Sequence, residues 1–208
     1  MVLLLAVAAG FLSGLLRSWL NKTPFSLPAL TGLWWVPAAV FPQLLIFHLP
    51  FTANWFSTSW ARLVLVGSLL TLLVFVSLNW MYTGVRIFGI GLVLNLIVIL
   101  LNGGLMPLAP QTAAALFPEA PPEIWQVGSR PGRSKNILLP SSEAVLPWLG
   151  DTLLLPAWFP WTRALSPGDL LIALGVFWLL SIEHSPLDDN QSTTDPSAGV
   201  QDSENKPE

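Results

Sequence analysis

Lys135, Asp151, Arg163 and Asp169 are the one charged constellation in a chain otherwise poor in charge. Asp151 lies in "WLGDT" and Asp169 in "SPGDL", each beside apolar residues. A lysine and two carboxylates against hydrophobic walls can hold the polar headgroup of an amphiphile, or act as acid and base. Each also has a plainer role. Ser166 and Asp169 have capping-box spacing, with Pro167 at the first helical position. Asp151 can cap a short helix starting at Thr152, or pair with Lys135.

A second candidate is Asn102-Gly103-Gly104, inside "NGGLMP". Asn and Gly adopt the left-handed conformation that ends a helix, and a proline soon after prevents continuation. Two glycines also admit a backbone or a ligand at close range. The remaining polar groups in the apolar runs are amides: Gln43, Asn79, Asn95 and Asn102. Asn95 and Asn102 are seven apart and share a helix face. Amides in a membrane interior either hydrogen-bond between helices or line a polar pocket. His48 and His184 are predicted on opposite sides of the membrane, so no shared metal or haem is expected. Cysteine is absent, and no catalytic triad, metal-ligand spacing, phosphate loop or nucleotide fingerprint is present. No catalytic residue, metal or cofactor is therefore assigned. Nor is there a basic, aromatic-bearing soluble face for nucleic acid.

The elements that must position these residues read as membrane spans. Of 208 residues, 53% are hydrophobic and only 10% charged, and the mean hydropathy is +0.63. Apolar runs fall at 1–18, 33–49, 63–80, 85–101 and 167–183. Runs of this length cover most of a ~30 Å hydrocarbon core. The first run is read as a retained span, because Arg17 and Lys22 follow it, whereas a signal peptide carries its charge in front. Pro37 and Pro42 should kink the second span or split it into half-helices. The third and fourth, joined by a short turn, should pack antiparallel. Residues 102–166 are predicted to form a Pro/Trp-rich cap of short interfacial segments, with Trp148, Trp158 and Trp161 near the membrane surface. Residues 184–208 are acidic and Pro/Ser-rich, and are expected to be disordered. The expected fold is thus all-α: a multi-pass bundle of about five spans with an extracytoplasmic cap between the fourth and fifth.

No Asp, Glu or Lys lies inside the apolar part of a span, which argues against an ion-coupled pump. Near the spans, Arg17, Lys22 and Arg86 fall on one side and Arg62 and Arg163 on the other. This excess places the N-terminus outside and the tail in the cytoplasm.

The order "GLWWVPAAVFPQ", "NGGLMP", a lysine, "LPWLGD" and "LSPGDLLIALG" resembles an uncharacterised bacterial family of five-helix membrane proteins, a domain of unknown function. The resemblance spans about residues 1–182. It implies a bacterial inner-membrane protein in which Gln43, Asn102, Gly103, Gly104, Met106, Pro107, Lys135, Asp151, Ser166, Gly168 and Asp169 match the family pattern. Leu105 stands where the pattern has a basic residue, and the acidic tail is an addition. The first functional expectation is a non-enzymatic scaffold or accessory subunit binding lipid or another membrane protein. The alternative is a membrane-embedded enzyme or carrier for a lipid-linked substrate at the outer leaflet. There Asn102, Gly103, Gly104, Lys135, Asp151 and Asp169 would form the binding site. Gln43, Asn79 and Asn95 are expected as polar contacts within the membrane.

Overall fold

Glycines spaced seven apart set the central packing. The computed structural model describes residues 2–49, 56–121, 125–132, 134–156, 159 and 162–182. The 184–208 tail with His184, and Arg133, Trp158 and Trp161, lie outside the described residues. The described residues include the α-helices α1 (Val2–Asn21), α2 (Trp35–Gln43), α3 (Thr58–Leu78), α4 (Thr83–Leu101), α5 (Pro110–Leu116) and α6 (Pro167–Ser181). α1, α3 and α4 are long and apolar enough to cross a membrane. The apolar helices over Trp35–His48 and Pro167–Ser181 are shorter.

α4 packs most extensively on α6, and α1 packs on the other side of α6. A Cβ built at Gly84 would lie 2.7 Å from the Gly175 carbonyl oxygen, and one at Gly91 would lie 2.6 Å from that of Gly168. The two backbones therefore touch along a glycine seam, and the residue order makes the pair antiparallel. Gly10 meets Phe177 and Gly14 meets Leu180, so α1 runs parallel to α6. Small residues allow this approach where lipid gives helices no hydrophobic reason to associate. The expected α3–α4 pair is present, with Gly89 against Val76, but it is the lesser contact of α4.

Pro37 falls in the first turn of α2, where its missing N–H costs nothing. Pro42 lies inside the helix, and from Leu44 to His48 the chain widens into a π turn, closed by the Leu49 N–H donating to the Leu44 carbonyl. The segment is neither sharply split nor a regular α-helix.

One end of the bundle gathers the C-terminal ends of α2 and α4 and the N-terminal ends of α1, α3 and α6. Over that end lies the 102–166 segment. The chain is mostly helical, as expected, but this segment adds short strands that the all-α expectation did not include. β1 (Met106–Leu108) pairs in parallel with β2 (Asn136–Leu138), and β3 (Leu153–Leu154) pairs antiparallel with β4 (Ala164–Leu165). The parallel pairing requires a long crossover, here residues 109–135 with α5. Leu108, Ala113, Leu116 and Leu138 form a small separate core under it. Thr152 begins no helix; it leads into β3.

Asn79, 1% exposed, fastens the opposite end. Its Oδ1 accepts from the Thr31 N–H at 2.7 Å, and its Nδ2 donates to the Thr31 and Phe75 carbonyls.

The glycine seam makes a direct prediction. Gly175→Leu forces a side chain into the α4 backbone and should lower stability by about 1–3 kcal/mol or more. Gly67→Leu, at a position with nothing within 4 Å of the built Cβ, should not lower it. Thermal unfolding of the detergent-solubilised protein compares the two; equal effects would remove the seam as a packing determinant.

Candidate functional site

The site begins with how "NGGLMP" ends α4. Gly103 (φ +74) and Gly104 (φ +87) are both left-handed, and the Gly104 N–H donates to the Ile99 carbonyl at 2.8 Å. A Cβ on Gly104 would sit 3.1 Å from the Arg62 side chain, so the close approach that glycine permits here is to Arg62. Asn102 is 6% exposed and is a fastener. Its Nδ2 donates to the Val98 and Val145 carbonyls, both at 2.8 Å, and its Oδ1 accepts from the Val145 N–H at 2.9 Å. It holds the 144–149 segment to the end of α4.

The turn delivers the chain into β1, which sets the charged groups. The Met106 N–H donates to the Lys135 carbonyl at 3.0 Å, and the Asp151 N–H donates to the Pro107 carbonyl at 3.1 Å. Lys135 and Asp151 thus sit on either side of one short strand. Lys135 Nζ lies 3.5 Å from Asp151 Oδ1 and 3.3 Å from Asp169 Oδ2. Asp151, 3% exposed, also accepts from Asn136 Nδ2 at 2.7 Å.

Asp169 performs its expected capping role and more. Ser166 and Asp169 form a full capping box at the start of α6. The same carboxylate accepts from Asn95 Nδ2 at 2.9 Å, while Ser166 Oγ donates to Asn95 Oδ1 at 2.9 Å. Asn95, expected as a helix–helix contact, therefore joins the charged cluster. Gly168 lies directly against it.

Burial disfavours the Lys135 ammonium, but the neighbouring Asp151 and Asp169 carboxylates outweigh it and raise the pKa above the ordinary lysine value. Lys135 is thus charged at neutral pH. Burial raises the Asp151 pKa, the Lys135 charge opposes it, and the like charge of Asp169 adds to the rise.

Two clefts meet at this cluster. One, of about 530 Å³, runs between α1, α2, α3, α4 and α6, with walls such as Val40, Leu69, Phe88, Leu92 and Ile172. Asn95, Lys135 and Asp169 stand among its few polar groups. The other, of about 850 Å³, lies under the cap and is lined by Phe47, His48, Arg130, Asn136, Asp151 and Arg163, among others. Gln43 and Lys135 line both. Among the described residues the Gln43 carboxamide has no hydrogen-bonding partner. Asn102, Gly103 and Gly104 line neither cleft, and Asn79 lies at the far end of the bundle. Among the described residues no group of three or more His, Asp or Glu side chains is arranged to hold a metal.

The sequence reading missed Asn136 and the role of Arg130. Arg130 lies over the Phe47 ring at 5.2 Å and donates from Nε to the Ser134 carbonyl at 2.7 Å. Arg130 and Arg133 beside Lys135 in "SRPGRSK" were the available signal, but the two arginines read only as loop charge.

A model of the family DUF5317, described as a family of unknown function, matches residues 28–181. That is about three quarters of the chain, and it leaves out α1, which the sequence resemblance had included. No curated protein and no solved structure matches.

Removing the lysine should expose the coupling of the cluster. Breaking one partner of a buried pair costs roughly 3–5 kcal/mol, and partial exposure of the partner reduces this. Lys135 is 35% exposed. For Lys135→Met we therefore expect a loss of about 1–3 kcal/mol. Adding Asp151→Asn should recover more than half of it in thermal unfolding. A double variant no more stable than the single one would show that the two groups are not coupled.

Proposed function

We propose that this chain, which belongs to the DUF5317 family, is a five-span membrane protein that binds a lipid non-enzymatically. The chain of the lipid lies in the groove between the helices, and its headgroup lies beside Lys135 under the cap. The observation that carries this reading is the junction, at Gln43 and Lys135, of an apolar cleft with a second one that bears most of the charged side chains. An amphiphile has the same two-part chemistry. Ligand sites are commonly apolar clefts with a few placed polar groups.

Five spans rest on three long apolar helices plus two shorter ones packed into the same bundle. α2 with its π turn contacts α3, and α6 is held between α1 and α4. α1 buries little besides Gly10 and Gly14 and exposes Leu4, Leu12 and Leu16, a surface suited to lipid. Exposed Trp19, Trp34 and Trp80 fall at one end of the bundle, and exposed Trp60 and Trp148 at the other. Two aromatic belts of this kind mark the two membrane–water interfaces. Arg17, Lys22 and Arg86 share the first end, which we assign to the cytoplasm of a bacterial inner membrane; the cap then faces outward.

A second reading has one observation in its favour. Burial first, and then the like charge of Asp169, raise the pKa of Asp151 against the opposing charge of Lys135, and a raised carboxyl pKa is what a general acid requires. On that reading the protein is an enzyme acting on the same lipid.

Two measurements test the proposal. The natural chain has no cysteine, so single cysteines report topology without background. Ser142→Cys in the cap should react with a membrane-impermeant maleimide on intact cells, and Lys22→Cys only after permeabilisation. The reverse pattern would invert the assigned orientation, and labelling of both on intact cells would break the five-span topology. Native mass spectrometry of protein purified gently from its own membrane should show a bound lipid mass. Val40→Trp, which fills the groove, should reduce that occupancy about tenfold, the equivalent of 1.4 kcal/mol. Undiminished lipid would place the binding elsewhere.

A further inference from the structure

We infer that the cleft under the cap is built to receive an anionic, phosphate-type headgroup; this deepens the lipid-binding reading above and rests on it. The charge of the lining is the first observation. Among the described residues of the lining, Arg130, Lys135 and Arg163 face one acid, Asp151, a net of +2 (3 − 1). Lys135 is already matched by two carboxylates, so the unmatched positive charge is that of the arginines. Among the described residues neither arginine makes an ion pair.

The second observation is how Arg130 is held. Its guanidinium lies over the Phe47 ring, and its Nε is tied to the Ser134 carbonyl. The fork is therefore fixed in orientation. One terminal nitrogen, Nη2, is buried and has no hydrogen-bond partner. A buried donor left unmet costs free energy, and a ligand oxygen would satisfy it. A planar guanidinium fork suits phosphate oxygens better than a neutral hydroxyl.

The third observation is continuity. Phe47 belongs to the π turn that also carries His48, and Gln43 immediately precedes that turn. Gln43 lines both clefts, and among the described residues its carboxamide has no partner, so it can donate to the headgroup where it joins the chain. Asp151 is turned into the protein by Lys135 and Asn136. It is poorly placed to meet the cation of a zwitterionic headgroup.

The test uses full-length protein in detergent micelles and lipids with identical chains: phosphatidylglycerol and diacylglycerol. Binding is read by native mass spectrometry. We expect phosphatidylglycerol to bind about tenfold more tightly, the scale of one charge-assisted hydrogen bond. Arg130→Gln and, separately, the exposed Arg163→Gln should erase most of that preference, bringing phosphatidylglycerol close to the affinity of diacylglycerol. Arg163→Gln guards against a fold defect at the more buried Arg130. Equal affinity of the wild type for the two lipids would overturn the headgroup inference and leave the lipid-binding reading intact. No retention of either lipid would overturn the lipid-binding reading itself. Displacement of phosphatidylglycerol by millimolar inorganic phosphate, with no effect on diacylglycerol, would reassign the cleft to a free anion.

Discussion

The Asp169 carboxylate is the contact on which the upper half of the molecule depends. It caps α6 with Ser166, accepts from Asn95 of α4 and pairs with Lys135 of the cap. Three segments distant in sequence meet on two oxygen atoms. The glycine seam brings α4 and α6 into backbone contact, but a seam of this kind can slide along its length. The Asn95–Asp169–Ser166 set fixes its axial position, because a one-turn slip would leave an amide, a hydroxyl and a charge unmet in an apolar setting.

Lys135 is then held from two directions. β1 fixes its backbone through Met106, and the two carboxylates fix its ammonium. "NGGLMP" acts through this route. Its glycines stop α4, Asn102 pins the 144–149 segment, and Met106 and Pro107 become the strand that places Lys135 and Asp151. The motif supports the charged cluster without lining either cleft. Gly104 is required by its positive φ and by the Arg62 stem beside it.

Much of this was legible in the sequence, and the limits have physical causes. Long apolar runs gave α1, α3 and α4, because length and hydropathy are local properties. The Ser166–Asp169 capping box and the helix stop at Asn102 were legible for the same reason. The strands were not. β1 and β2 are three residues each, too short for alternation to register, and their parallel pairing spans a crossover that no local pattern encodes. Asn102 finds Val145 and Asn95 finds Asp169 only after the chain returns across dozens of residues. The pairing of Lys135 with Asp151 was among the expected alternatives, whereas the placing of Arg130 over Phe47 depends on a π turn that Pro42 foreshadows only loosely.

Stability alone does not account for the cluster. A buried ion pair is seldom worth more than well-packed apolar side chains of similar volume, so one retained between helix ends calls for another role. Its position suggests which. Lys135 and Asp169 stand at the polar limit of the helix groove, and Lys135 and Asp151 at the inner wall of the cleft under the cap. An apolar groove inside a bundle is a poor place for water and a natural one for an acyl chain. A chain lying there must put its headgroup where the groove ends. That end is the cluster, with Arg130 and Arg163 beyond it. A fixed charged boundary between the clefts would set the depth of the chain and the position of the headgroup together. An apolar replacement of the cluster would lose that register.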